Sequence, residues 1–434
     1  MKRLLKNCRL FDGVKMHEEP MSLLIEDGKV AKMAPDGVIA SVDADISDLE
    51  GKILSPGFID LHSHMRDPGQ EWREDIASGS MAGAAGGFSL LVAMPNTDPA
   101  ADSCAIVKYV LDKGGSQAGA RVLPSGTVSR GRKGEELAEL LLMAEAGAVL
   151  FTDDGAPVSN ARLLRQALEC TKGDLPLLME HPEEPQLFRG GQVHDGFISA
   201  RSGLEPIPSS CEEIGVARGI ALARETGGRM HFTHLSSAVA LEQVRRAKAD
   251  GVAVTCDVTA HHLTLCETDI WESGCDSRFK VNPPLRSRAD REALWRGIMD
   301  GTVDAIVTDH APWHMDEKDL PFQEAPFGIA SLECAFAAVW DYKERHYPEI
   351  TAETLLKKLT SSPAALLPKE WQAHGVIREG NPAHLVVIDP ERVRTVDCSR
   401  WHSKARLTAW EGASLKGSPV ETLSNGRTVW KESV

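Results

Sequence analysis

The stretch GFIDLHSHMRDPGQ, residues 57–70, enters as a short apolar run and then sets His62 and His64 two apart, with Arg66 two further on. Alternate residues of a strand share a face, so a period of two aims both imidazoles and the guanidinium to one side of a strand end. The run containing these residues, KILSPGFIDLH from Lys52, is followed by seven more that end in polar clusters: GFSLLVAMPN (87–96), ARVLPSGTV (120–128), GAVLFTDD (147–154), LPLLMEH (175–181), RMHFTHL (229–235), VAVTCDVT (252–259) and VDAIVTDH (303–310). Helix-type stretches lie between most of them, at 135–147, 161–173, 210–228 and 241–251, each closed by glycine as a helix stop. Strands alternating with helices imply parallel pairing through right-handed crossovers. Eight such units in roughly 250 residues suit a (β/α)8 TIM barrel, with a doubly wound open sheet as the alternative.

Both ends of the chain read differently. Residues 1–55 and 375–434 hold strand pieces broken by D-G, E-D-G, E-G and N-G turns. Neither end alone offers many strands, so the two are expected to pair into one small, discontinuous β-sandwich domain outside a barrel of residues 56–374. The formal net charge of −15 argues against a nucleic-acid-binding surface, and an anionic substrate would need a locally cationic pocket. Nine scattered cysteines, an odd number without a C-x-x-C pair, favour reduced thiols in a cytoplasmic protein. The N-terminus MKRLLKNCRLFDG reaches charge and a turn too soon for a signal peptide, and no run of about 18 apolar residues predicts a membrane span.

In a barrel of this kind the strand C-termini share one face, where loops carry the chemistry. The eight runs end, in part, on His62 and His64, Asn96, Asp153 and Asp154, His181, His234, and Asp309 with His310. Neutral imidazoles and carboxylates without paired cysteines suit Zn²⁺ or a similar divalent ion. His62 and His64 with a carboxylate are expected to serve one ion and His181 with His234 a second, bridged by a carboxylate that is Asp153 or Asp154. One-residue alternation keeps both of these from pointing inward. Two ions roughly 3.5–4 Å apart can share a hydroxide that is nucleophilic at neutral pH. Asp309 is then placed to take its proton and deliver it to a leaving nitrogen. This is metal-assisted hydrolysis, or its reverse, ring closure. Arg66 offers a bidentate fork for a substrate carboxylate, while Asn96 and Asn282, in proline-stiffened loops, read as orienting hydrogen-bond donors.

PGFIDLHSHMRDPGQE, VAMPNTDP, FTDDG, HFTHLSSAVALEQVRRAKADGVAVTCDVTAHHLTL, KVNPPLR, VTDHAPWHMDEK and APFGIASLE together strongly resemble the amidohydrolase superfamily, and within it bacterial class I dihydroorotases. The resemblance covers nearly the whole chain. It implies a metal-dependent (β/α)8 barrel that interconverts N-carbamoyl-L-aspartate and dihydroorotate in pyrimidine synthesis, with one or two Zn²⁺ per subunit and two favoured. By motif it implies His62 and His64 on one zinc, His181 and His234 on the other, and Asp154 at the bridge. Asp309 becomes a metal neighbour and the catalytic acid/base, and His64, Arg66, Asn96, Asn282, Phe327 and Gly328 hold the substrate. Hydantoinases and allantoinases typically bridge with a carboxylated lysine, but residues 134–171 contain no lysine. Relatives usually place a substrate-contacting histidine where this chain has Trp313, with His314 next, so both remain site candidates beside Asp153. Alternatives are another cyclic amidase with an aspartate bridge, or a non-catalytic relative that partners aspartate transcarbamoylase. A homodimer and a complex with that enzyme are both open.

Overall fold

The computed structural model describes residues 2–40 and 43–432. Residues 1, 41, 42, 433 and 434, all within the expected terminal β domain, lie outside the described residues.

Strands from both ends of the chain meet in one eight-stranded sheet. Ile53–Pro56 is the seam: it runs parallel to the first strand at Arg9–Leu10 and antiparallel to Leu385–Ile388. Leu5, Leu23, Ile25 and Leu54 from the N-terminal side pack with Leu385, Val387 and Leu423 from the C-terminal side in one buried cluster. Neither end could exclude water from such a surface alone, which is why residues some 330 positions apart share it.

All eight internal runs contain strands: Phe58–Ser63, Phe88–Ala93, Arg121–Pro124, Leu150–Phe151, Leu177–Glu180, Met230–Phe232, Val254–Thr259 and Ala305–Val307. They pair in parallel as a three-stranded and a five-stranded sheet. Parallel bridges Gly126–Phe151 and Ser63–His310 connect the edges of the two. Side chains alternate as the pleat demands. Ile59, Leu61, Leu90, Val92, Leu123 and Met179 belong to one apolar cluster, whereas Phe58, Phe88, Leu91, Val122 and Leu178 join another with the helices.

Helices cover the runs as expected at Ala161–Cys170, Ser209–Thr226 and Ala238–Ala249; the longest ends on Gly227, whose φ of 69° is the left-handed stop. The helix expected over 135–147 is shorter, Leu140–Glu145. Residues 136–138 instead bond to 128–130, because Asp153 accepts the Val128 and Ser129 amides and holds that segment extended. All nine cysteines are free, and no helix among the described residues is long and apolar enough to cross a membrane.

Where the parallel strands meet the terminal sheet, His374 and His384 stack with ring centroids 4.2 Å apart. Burial pushes them down, to about 4 and about 3. The unfolded chain takes up these two protons near pH 6.5 while the folded chain refuses them, so the pair contributes nothing above that pH and costs stability as pH falls toward 4. We expect denaturant unfolding to show about 4 kcal/mol less stability at pH 5 than at pH 7.5 from this pair, about 2 kcal/mol from each ring. His374→Phe, which keeps a ring in the stack, should shrink that difference; an unchanged difference would rule the pair out as the cause.

Candidate functional site

The catalytic candidates all follow the C-terminal ends of parallel strands, so parallelism alone brings them to one end of the sheet. His62 ends its run inside a strand and His64 lies just beyond it. Arg66, His234 and Asp309 take left-handed backbone, with φ of 56°, 43° and 42°. That conformation is costly for side-chain-bearing residues and persists only where neighbours enforce it. Asp257 does so at His234, accepting its amide at 2.5 Å.

Asp154 is the hub. Its Oδ1 lies 3.3 Å from His62 Nε2, 3.5 Å from His234 Nε2 and 3.7 Å from His181 Nδ1, and its Oδ2 is 3.6 Å from His64 Nε2. Two donor sets thus share one carboxylate: His62, His64 and Asp154, and Asp154, His181 and His234. Asp309 Oδ1 approaches the first set, 3.2 Å from His64 Nε2 and 3.6 Å from His62 Nε2. Asp153 points elsewhere, into the Val128 and Ser129 amides and the Ser129 hydroxyl.

Each ring is turned by what its other nitrogen does. The Thr233 hydroxyl donates to Asp257 (3.1 Å) and accepts from His62 Nδ1 (2.8 Å), which leaves the His62 Nε2 lone pair facing Asp154. His64 Nδ1 donates to Asn96 Oδ1 (3.0 Å) and His181 Nε2 to Glu183 Oε2 (3.3 Å). Carbonyl or carboxylate partners on the far nitrogen are how proteins orient metal-binding imidazoles. His62 Nε2 and Asp154 Oδ1 are buried without a hydrogen-bond partner of their own. Burial resists charge on the rings, yet the carboxylates raise His62 to about 9 and His181 to about 10. A site that draws positive charge onto buried imidazoles, with orphaned lone pairs aimed at a common point, fits divalent cations.

Burial pushes Asp309 up, but its contacts with the His64 and His62 imidazoles outweigh it and hold the carboxyl below its usual range. It is therefore ionised at neutral pH and able to accept a proton.

Above the rings lies a cavity of about 460 Å³ lined by His64, Arg66, Asn96, Asp154, His181, His234, Asn282, Asp309, Trp313, Phe327 and Gly328. His62 sits fully buried beneath it. His314 does not line it; this side chain is exposed and caps the short helix Met315–Lys318 by accepting the Asp316 amide. His262 is fixed between the Thr259 hydroxyl and the Pro283 carbonyl. Sequence reasoning missed Glu183, Thr233 and Asp257, although a charged residue inside the buried strand Val254–Thr259 was a signal for the last. It also missed Lys280 and Lys318, whose ammonium groups bond the carbonyls of Phe322 and Pro326 and so seat the Phe327–Gly328 turn.

Comparison with known proteins adds three findings. A model of the "Dihydro-orotase-like" family matches residues 51–239. The chain is 42% identical to the dihydroorotase of Pelotomaculum thermopropionicum over the full length of both chains. It is 38% identical to that of Geobacter metallireducens over 99% of this chain and 100% of the relative. Among solved structures, the L-hydantoinase (dihydropyrimidinase) from Arthrobacter aurescens superposes with a TM-score of 0.86 at 22% identity, covering 99% of this chain and 96% of that one. The dihydropyrimidinase from Brevibacillus agri superposes at 0.83 and 20% identity, covering 99% and 95%. At that identity the structural likeness establishes the fold, a mixed α/β architecture of the hydantoinase type.

Proposed function

The chain belongs to the dihydroorotase family, and on that premise we propose that it is a class I dihydroorotase of the amidohydrolase superfamily, interconverting N-carbamoyl-L-aspartate and dihydroorotate in the cytoplasm. The observation that carries this reading is the single carboxylate of Asp154 shared by two histidine pairs, within one cavity with the Arg66 guanidinium. Two Zn²⁺ ions are proposed, one held by His62, His64 and Asp154 and the other by Asp154, His181 and His234; His62 Nε2 and Asp154 Oδ1, buried without a hydrogen-bond partner, support that occupancy. When bound, such ions supply Lewis acidity, polarising the amide carbonyl and making water nucleophilic at neutral pH. The edge bridges at Gly126 and His310 support a closed eight-stranded barrel over residues 56–374. The one eight-stranded sheet shared by 1–55 and 375–434 supports a single discontinuous β domain, proposed to fold over on itself as a β-sandwich.

The remaining roles follow from what each side chain has left to offer. Asp309 takes the proton of the attacking water and returns it to the departing amide nitrogen, and in ring closure the proton travels the opposite way. Asn96 spends its carbonyl on His64, so its amide N–H groups remain for a substrate carboxylate. Asn282 spends its amide on Glu183 (2.9 Å) and keeps its carbonyl oxygen for a ureide N–H. Arg66 uses Nε on the Pro312 carbonyl (3.2 Å), leaving its terminal nitrogens as the fork for the α-carboxylate.

Turnover of dihydroorotate, hydantoin, dihydrouracil and allantoin by the purified enzyme tests the assignment. Dihydroorotate should be strongly preferred; no dihydroorotate turnover with brisk hydantoin cleavage would contradict it. For Arg66→Lys we expect KM for dihydroorotate to rise about tenfold or more with a smaller change in kcat, since a point cation cannot reproduce the fork. An unchanged KM would make Arg66 a bystander.

A further inference from the structure

Arg66 is 8% exposed, yet among the described residues no carboxylate lies within ion-pair distance of it and its one hydrogen bond runs to the Pro312 carbonyl. A buried guanidinium normally needs an anionic partner. Its companion here is the indole of Trp313, with Arg66 Cζ 5.2 Å from the ring centroid. Arg73 Cζ lies 4.1 Å from the same centroid, but Arg73 is already neutralised by Glu317, whose two oxygens accept from Nε at 3.1 and 2.8 Å. Trp313 is held in its turn. Its Nε1 donates to the Phe327 carbonyl at 2.8 Å, and a Cβ on Gly328 (φ 131°) would come within 3.0 Å of that nitrogen and 2.7 Å of the Ala311 oxygen, so the indole edge and the turn are fitted to each other.

We propose that Trp313 is a positioning residue for the known reaction, holding the Arg66 fork in place by its π face without neutralising it, and thereby making substrate binding selective for the carboxylate form. This rests on the dihydroorotase reading above. An aromatic face attracts a guanidinium through its quadrupole and takes none of its N–H donors. A carboxylate at the same place would stabilise Arg66 equally well while competing with the substrate for those donors. The indole therefore leaves the cation both fixed and unspent, and its N–H couples Arg66 to the Phe327–Gly328 turn, which also lines the cavity.

Steady-state kinetics of Trp313→Phe and Trp313→Leu, with dihydroorotate and with its methyl ester, test the proposal. For Trp313→Leu, KM for dihydroorotate should rise about tenfold while kcat changes far less and metal content is retained, as expected for losing one partly desolvated cation–π contact. Trp313→Phe, which keeps an aromatic face and loses only the N–H, should recover most of that loss. KM for the ester, which presents no anion, should move little. An unchanged KM in Trp313→Leu, equal shifts for acid and ester, or equal effects of Phe and Leu would each overturn the proposal. Trp313→Met gives the same comparison if the leucine variant does not fold. Absence of dihydroorotate turnover in the wild-type enzyme would be a failure of the dihydroorotase reading and is seen separately from any of these results.

Discussion

Asp309→Asn is expected to retain its metal and to lose about 10²- to 10⁴-fold in kcat, the range that a positioned proton carrier contributes. The substitution keeps the shape of the side chain and its place 3.2 Å from His64, but an amide cannot take up a proton at neutral pH. KM should change much less than kcat, because the fork, the two asparagines and the turn are untouched. The carboxyl lies below its usual range in the fold, so wild-type activity should fall on the acid side only as ligands and Asp309 become protonated, not through Asp309 near neutrality. Activity within about threefold of wild type in Asp309→Asn would remove Asp309 from the proton path.

The second large effect concerns the hub. Asp154→Asn should bind divalent metal at least about 100-fold more weakly and lose nearly all turnover, since even partners one step removed from a metal are worth 10- to 100-fold. Four imidazole nitrogens face this one carboxylate at 3.3 to 3.7 Å, and among the described residues no other carboxylate is shared by both donor sets. Asp153→Asn is the control. Its carboxylate accepts the Val128 and Ser129 amides, so the variant should unfold more readily while keeping its metal. Metal content measured on the two proteins side by side decides between the neighbours: loss in Asp153→Asn with retention in Asp154→Asn would reverse the assignment.

These contrasts mark what the sequence could and could not say. The period of two at His62 and His64, and the habit of apolar runs ending on imidazole or carboxylate, are one-dimensional patterns that a parallel sheet converts directly into a shared site. The choice between Asp153 and Asp154 is different in kind. Alternation says that only one faces the histidines, and the identity of that one depends on where Val128 and Ser129 run, which is a tertiary fact. The same segment shortened the helix expected over 135–147, because its residues found strand-like partners in place of their own helical ones. Glu183 and Thr233 act through the far nitrogens of His181 and His62, a relation that no sequence spacing encodes. Trp313 looked like a departure in a histidine position; its meaning came only from the two guanidinium groups beside its ring. His314, adjacent in sequence, faces solvent instead of the cavity.

Anomalous X-ray scattering at the zinc edge from crystals of the purified protein tests the metal centre most directly. Two peaks are expected on either side of the Asp154 carboxylate, one within bonding distance of His62 and His64 and the other of His181 and His234. A protein that is active on dihydroorotate but shows no metal peak beside Asp154, or shows one only at other side chains, would contradict the account.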